Sequence, residues 1–71
     1  MTSGEIDKLR ILLDYWIEHN REHSQEFREW AEKADSLGVD IGGDILQAAS
    51  EMDKASEILS RAQRKLWGKK V

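Results

Sequence analysis

Apolar residues recur along the first half of the chain in two interleaved series spaced seven apart. One runs Leu9, Trp16, His23, Trp30 and Leu37, and the other Ile6, Leu13, Asn20, Phe27 and Ala34. Two such series side by side make the stripe of a coiled-coil-like helix, because seven residues are close to two helical turns. The second half repeats the pattern, with Ile45, Met52, Leu59 and Leu66 beside Ala48, Ala55 and Ala62. Glycine marks the limits of both segments. Thr2 and Glu5 have the spacing of a capping box, Gly38 followed by Val39 has the form of a left-handed helix stop, and Asp40 is a good N-cap. Gly42 and Gly43 weaken the first turn of the second helix by about 1 kcal/mol each relative to alanine. The expected fold is all-α: an antiparallel two-helix hairpin over about 3–37 and 41–67, in a single domain spanning 1–71.

The alanines of the second helix leave room for Trp16, Phe27 and Trp30 of the first, so large residues are expected to meet small ones across the seam. Ile11, Leu12, Tyr15 and Ile17 lie outside the main stripe and give the first helix more apolar surface than one neighbour covers. A homodimer forming a four-helix bundle, with these four residues at the contact between subunits, is the expected solution. Length points the same way. A 71-residue chain without cysteine buries too little surface for comfortable stability, leaving a metal, an oligomer or very regular packing as the remaining supports.

The stripe carries an anomaly at its middle. Asn20 and His23 occupy core positions between Trp16 and Phe27, and an unpaired buried amide or imidazole costs a few kcal/mol. Two readings follow. In the first, Asn20 and His23 form a buried polar layer with Ser56 and Ser60 of the facing helix, fixing register and partner number. In the second, His19 and His23, four apart and on one face, bind a transition metal together with Glu26 and Glu22. A two-fold axis would bring four imidazoles together. Nickel, cobalt or zinc suits nitrogen-rich ligands, whereas calcium and magnesium prefer all-oxygen shells.

Glu18, Glu22, Glu26 and Glu29 form an acidic edge, which Arg21, Arg28, Arg61 and Arg64 are placed to balance through exposed pairs. The net charge of −3 argues against nucleic acid as a partner. No apolar run approaches the length of a membrane span, and the absence of cysteine and of an N-terminal signal segment fits a cytoplasmic protein. Tyr15, Trp16, Trp30 and Trp67 at helical spacing read as core and interface residues. There is no cysteine nucleophile, no triad context, and no glutamate beside the first histidine as zinc peptidases require, so an enzyme is not expected.

The run Trp16-Ile17-Glu18-His19-Asn20, then His23, Phe27, Trp30-Ala31 and Lys33-Ala34, followed by a Leu37-Gly38 break and an alanine-rich second helix, resembles a family of small uncharacterised prokaryotic helical-hairpin proteins. Their motif reads His-Trp-Ile-Glu-His-Asn-x-x-His. The resemblance covers most of the chain and implies a link to nickel-binding accessory domains, carried here by His19 and His23. The sequence departs from the pattern at Tyr15, where the family has a histidine one turn before His19, and at Gly42 and Gly43, where relatives have helix formers.

Overall fold

The computed structural model describes residues 3–68, which form two α-helices joined by a short turn: α1, Ser3–Ser36, and α2, Gly42–Gly68. They pack antiparallel along their length as a rod with extents of 54 × 16 × 14 Å. The expected hairpin is thus present, with the start of α1 as read in the sequence and the other three helix ends one residue away. Among the described residues no helix is long and apolar enough to cross a membrane.

The turn shows why α1 stops where it does. Gly38 adopts a φ of 77°, a region that a side chain disfavours. Its N–H donates to the Asp35 carbonyl at 3.1 Å, and the Val39 N–H reaches back to the Ala34 carbonyl at 3.0 Å. These are the two bonds of a Schellman closure, which satisfy carbonyls otherwise orphaned at the helix end. Thr2, the other half of the proposed capping box, lies outside the described residues, while Glu5 stands in the first turn of α1.

The start of α2 departs from expectation. The Ile45 N–H donates to the Ile41 carbonyl at 3.1 Å, so Ile41 takes the cap position before Gly42 and Asp40 stays in the turn. Asp44 falls in the first turn instead, where its charge suits the positive end of the helix. Gly42 has a packing reason to be glycine. A Cβ there would stand 3.0 Å from the Ala31 backbone carbonyl and 2.5 Å from Asp35 Oδ1, whereas one on Gly43 would meet open space.

Packing corrects the phase of the stripe. On α1, Leu13, Ile17, Ser24, Ala31 and Ala34 are buried, while Leu9, Trp16, Trp30 and Leu37 are exposed. On α2, Gly42, Ala49 and Ser56 are buried, Ile45, Met52, Leu59 and Leu66 are half-buried, and Ala48 and Ala62 are exposed. Toward the turn the seam is small against small: Ala31 faces Gly42 and Ser24 faces Ala49, and the lack of bulk lets the backbones approach closely, while the buried Leu13 and Ile17 fill it further from the turn. Phe27 is half-buried and shares a groove with Trp30 and Ala48, but Trp16 and Trp30 stay largely exposed rather than closing over the alanines between the helices as the sequence suggested. They border a broad face of the hairpin that remains open, Trp16 at 39% and Trp30 at 56% exposure.

Candidate functional site

The positions singled out by sequence fall in the middle of α1, where i, i+4 spacing aligns Tyr15, His19, His23 and Phe27 along one edge. The rings form a continuous ladder. Tyr15 stacks on His19 with centroids 5.3 Å apart, His19 meets His23 edge-on at 4.4 Å, and His23 lies 6.2 Å from Phe27. The histidine Nε2 atoms converge to 3.0 Å. His23 Nδ1 donates to Glu26 Oε1, also at 3.0 Å. A carboxylate only accepts, so this contact puts the His23 proton on Nδ1 and leaves the Nε2 lone pair of the neutral ring facing His19.

Two nitrogens bound at 2.0–2.1 Å to one ion at tetrahedral or octahedral angles lie about 2.9–3.3 Å apart, which brackets the observed separation. The same separation is that of a ring N–H···N hydrogen bond, and its length is also compatible with two imidazoles on one transition-metal ion. Glu26 touches His23 on Nδ1, the ring nitrogen that faces away from His19. Glu22 makes no hydrogen bond or ion pair within the described residues. Among those residues no group of three or more histidine, cysteine, aspartate or glutamate side chains is placed to hold a metal. One hairpin thus brings two imidazoles together.

The expected polar layer is not what joins the helices. Asn20 and His23 are half-buried and make no hydrogen bond to Ser56 or Ser60, and the Ser56 hydroxyl is buried without a partner. The interhelical polar cluster lies one seven-residue series away and comprises Ser24, Arg28 and Asp53. Ser24 Oγ donates to Asp53 Oδ1 at 2.8 Å, Arg28 Nη1 donates to Ser24 Oγ, and Arg28 Nη2 donates to Asp53 Oδ2 at 2.5 Å. The hydrogen bonds from Arg28 and then Ser24 hold the Asp53 carboxyl below its usual range, against the opposing effect of burial. A second tie, Gln63 Nε2 to Asp14 Oδ1, closes the other end. Ser24 was legible as a small residue three places before Phe27, but its role needed the stripe phase that only packing supplies.

The proposed subunit contact also changes. Ile17 is 6% exposed and packs between α1 and α2, so it is not available to a partner. Ile11 and Tyr15 are exposed and Leu12 is half-buried. A second apolar surface is the open face bordered by Leu9, Trp16 and Trp30. At its turn end Phe27, Trp30, Ile41, Ile45 and Ala48, with Asp44 at the edge, line a groove of about 650 Å³. At its far end Leu9, Leu13, Ala62 and Leu66, with Lys65, line another of about 340 Å³. His23 shares the seven-residue series of Leu9, Trp16 and Trp30 and sits between these grooves.

Residues 9–66 match the family model described as a domain of unknown function, DUF8180. The chain belongs to this family. An uncharacterized protein of Archaeoglobus fulgidus is 37% identical over 57 residues, covering 80% of this chain and 92% of that protein. No solved structure matches the chain significantly. The matched segment contains the histidine pair, Glu26, the Ser24–Arg28–Asp53 cluster and both apolar grooves.

Proposed function

We propose that this protein is a self-associating helical hairpin whose open apolar face pairs with a second copy to form a four-helix bundle, with Asn20 and His23 as the polar interruption of the shared core. Surface area carries the reading. The chain exposes 5590 Å², whereas a compact monomer of 8.2 kDa exposes about 4,500 Å². The excess of roughly 1,000 Å² is comparable to the ~800 Å² that each partner buries in a standard protein interface. The surface is also the right kind, since Leu9, Trp16, Trp30 and Ile41 are exposed at seven-residue spacing or beside it. A stripe that one neighbouring helix half-covers is complete when two hairpins meet, because each helix of a four-helix bundle contacts two others. Ile17 takes no part, and the contact shifts from the Ile11 edge to the Trp16 and Trp30 edge.

The test is the concentration dependence of thermal unfolding, since a dimer is stabilised by mass action and a monomer is not. The midpoint of the wild-type chain rises with protein concentration, and that of the Leu9→Glu, Trp30→Glu double variant is lower and independent of it. A wild-type midpoint that ignores concentration would refute the reading.

A second reading is favoured by the convergence of His19 and His23 Nε2 with Glu26 behind one ring. The hairpin binds nickel, cobalt or zinc through these two imidazoles, and a second copy supplies the ligands that one chain lacks. Calorimetric titration with Ni(II), Co(II) and Zn(II) decides it. Binding is abolished by His19→Ala with His23→Ala and weakened about 10- to 100-fold by Glu26→Gln, the range typical of a carboxylate behind a ligating histidine. Absence of saturable heat for all three metals would dismiss it.

A further inference from the structure

On the flank of the hairpin away from Trp16 and Trp30, the two helices form a groove of about 600 Å³ lined by Arg21 of α1 and by Ser56, Ser60, Arg61 and Arg64 of α2. Its charge is unbalanced. Arg61 and Arg64 make no ion pair among the described residues, and Arg21 makes only a long one, 3.8 Å, to Glu18. Two carboxylates also line the groove, but Asp53 is already engaged by Arg28 and Ser24, which leaves Glu57 against three guanidinium groups. Such a concentration of positive charge is local, because the whole chain carries −3.

A second observation points into the same place. Ser56 is only 9% exposed, and its Oγ is buried with no hydrogen-bond partner. A helical serine ordinarily turns its hydroxyl back to the carbonyl four residues earlier, and a buried donor is ordinarily paired. Here neither holds, and Ser56 lines the same groove as the arginines.

We propose that this groove binds a tetrahedral oxyanion, either free phosphate or the phosphate group of a monoester. Arg21, Arg61 and Arg64 supply charge and N–H donors from both helices, and a turn about the Ser56 Cα–Cβ bond brings its unpaired hydroxyl out of the groove wall to donate to one oxygen. Guanidinium groups present several donors in a fixed plane, and a phosphate has enough oxygens to accept from three of them and a hydroxyl at once. A planar carboxylate offers fewer acceptors in the wrong directions. The groove and the open apolar face lie on different flanks, so anion binding does not depend on self-association.

The probe is inorganic phosphate, titrated into ¹⁵N-labelled full-length chain at constant pH and matched against potassium chloride at equal ionic strength. Saturable amide shifts centred on Arg21, Ser56, Arg61 and Arg64 are expected with phosphate and not with chloride. Arg61→Gln with Arg64→Gln weakens binding about tenfold or more, as loss of charge-assisted hydrogen bonds requires. Ser56→Ala is the sharper variant, because it removes an unmet donor and installs the best helix former. It folds at least as stably as the wild type yet binds phosphate several-fold more weakly. Phenyl phosphate separates the two sources: tighter binding than inorganic phosphate at the same amides assigns a monoester, and weaker binding assigns the free ion. Phosphate shifts no larger than those of chloride, or unchanged affinity in the double arginine variant, would overturn the proposal.

Discussion

Gly42 and Gly43 are adjacent and both lie in the first turn of α2, but alanine at the two positions is expected to act with opposite sign. At Gly43 an added Cβ meets open space, so only the backbone term applies. Replacing glycine by alanine in a helix is worth up to about 1 kcal/mol, less in a first turn. For a domain of this size that raises the thermal midpoint by roughly 2–6 °C. At Gly42 the same gain is opposed by contact with α1. The Asp35 side chain, 2.5 Å from the added carbon, can swing away, but the Ala31 carbonyl at 3.0 Å belongs to the α1 backbone. Relief requires the helices to separate where they are closest, and overpacking of this kind costs about 1–3 kcal/mol. The net loss of up to ~2 kcal/mol lowers the midpoint by several degrees. Both variants and the wild type are compared by circular dichroism at one protein concentration, so that any self-association affects them alike. A Gly42→Ala protein as stable as Gly43→Ala would refute the close approach of α2 to α1.

Other substitutions probe the turn and the interhelical cluster. Gly38→Ala places a side chain at a φ of 77° and lowers stability by about 1–2 kcal/mol, read as a fall in the urea midpoint with an unchanged slope. Because Arg28 and Ser24 hold the Asp53 carboxyl below the usual value, the unfolded chain binds the extra proton first on acidification. Its stabilising contribution is fully present above about pH 4 and disappears as the pH falls through the lower folded value. The wild-type thermal midpoint therefore declines below pH 4, and Asp53→Asn, already less stable at neutral pH, declines less steeply; parallel acid limbs would contradict the assignment.

Two helices, the Gly38 stop and the antiparallel hairpin were readable because each rests on local rules: seven-residue recurrence, the left-handed freedom of glycine, and a short connection. The phase of the contact was not. Leu9, Trp16 and Trp30 are the most conspicuous apolar residues of α1, and periodicity naturally centres the stripe on them. Packing between two long helices instead rewards close backbone approach, which small residues permit, so Ser24, Ala31 and Ala49 took the seam and the tryptophans faced outward. The same shift moved Ile17 inward and replaced the Asn20 and Ser60 layer by Ser24, Arg28 and Asp53. The histidine pair was legible from spacing alone, since i, i+4 residues meet on any helix. The position of Glu26 beside His23 Nδ1 was not, because three-residue spacing alone does not say which way the carboxylate turns.

Sedimentation equilibrium of the unmodified chain tests self-association most directly. The open face predicts a species of about twice the 8.2 kDa chain mass at tens of micromolar protein, reverting to the chain mass in the Leu9→Glu, Trp30→Glu variant. A wild-type chain that sediments at 8.2 kDa across that range would contradict the account, leaving Trp16 and Trp30 exposed without a partner of their own kind.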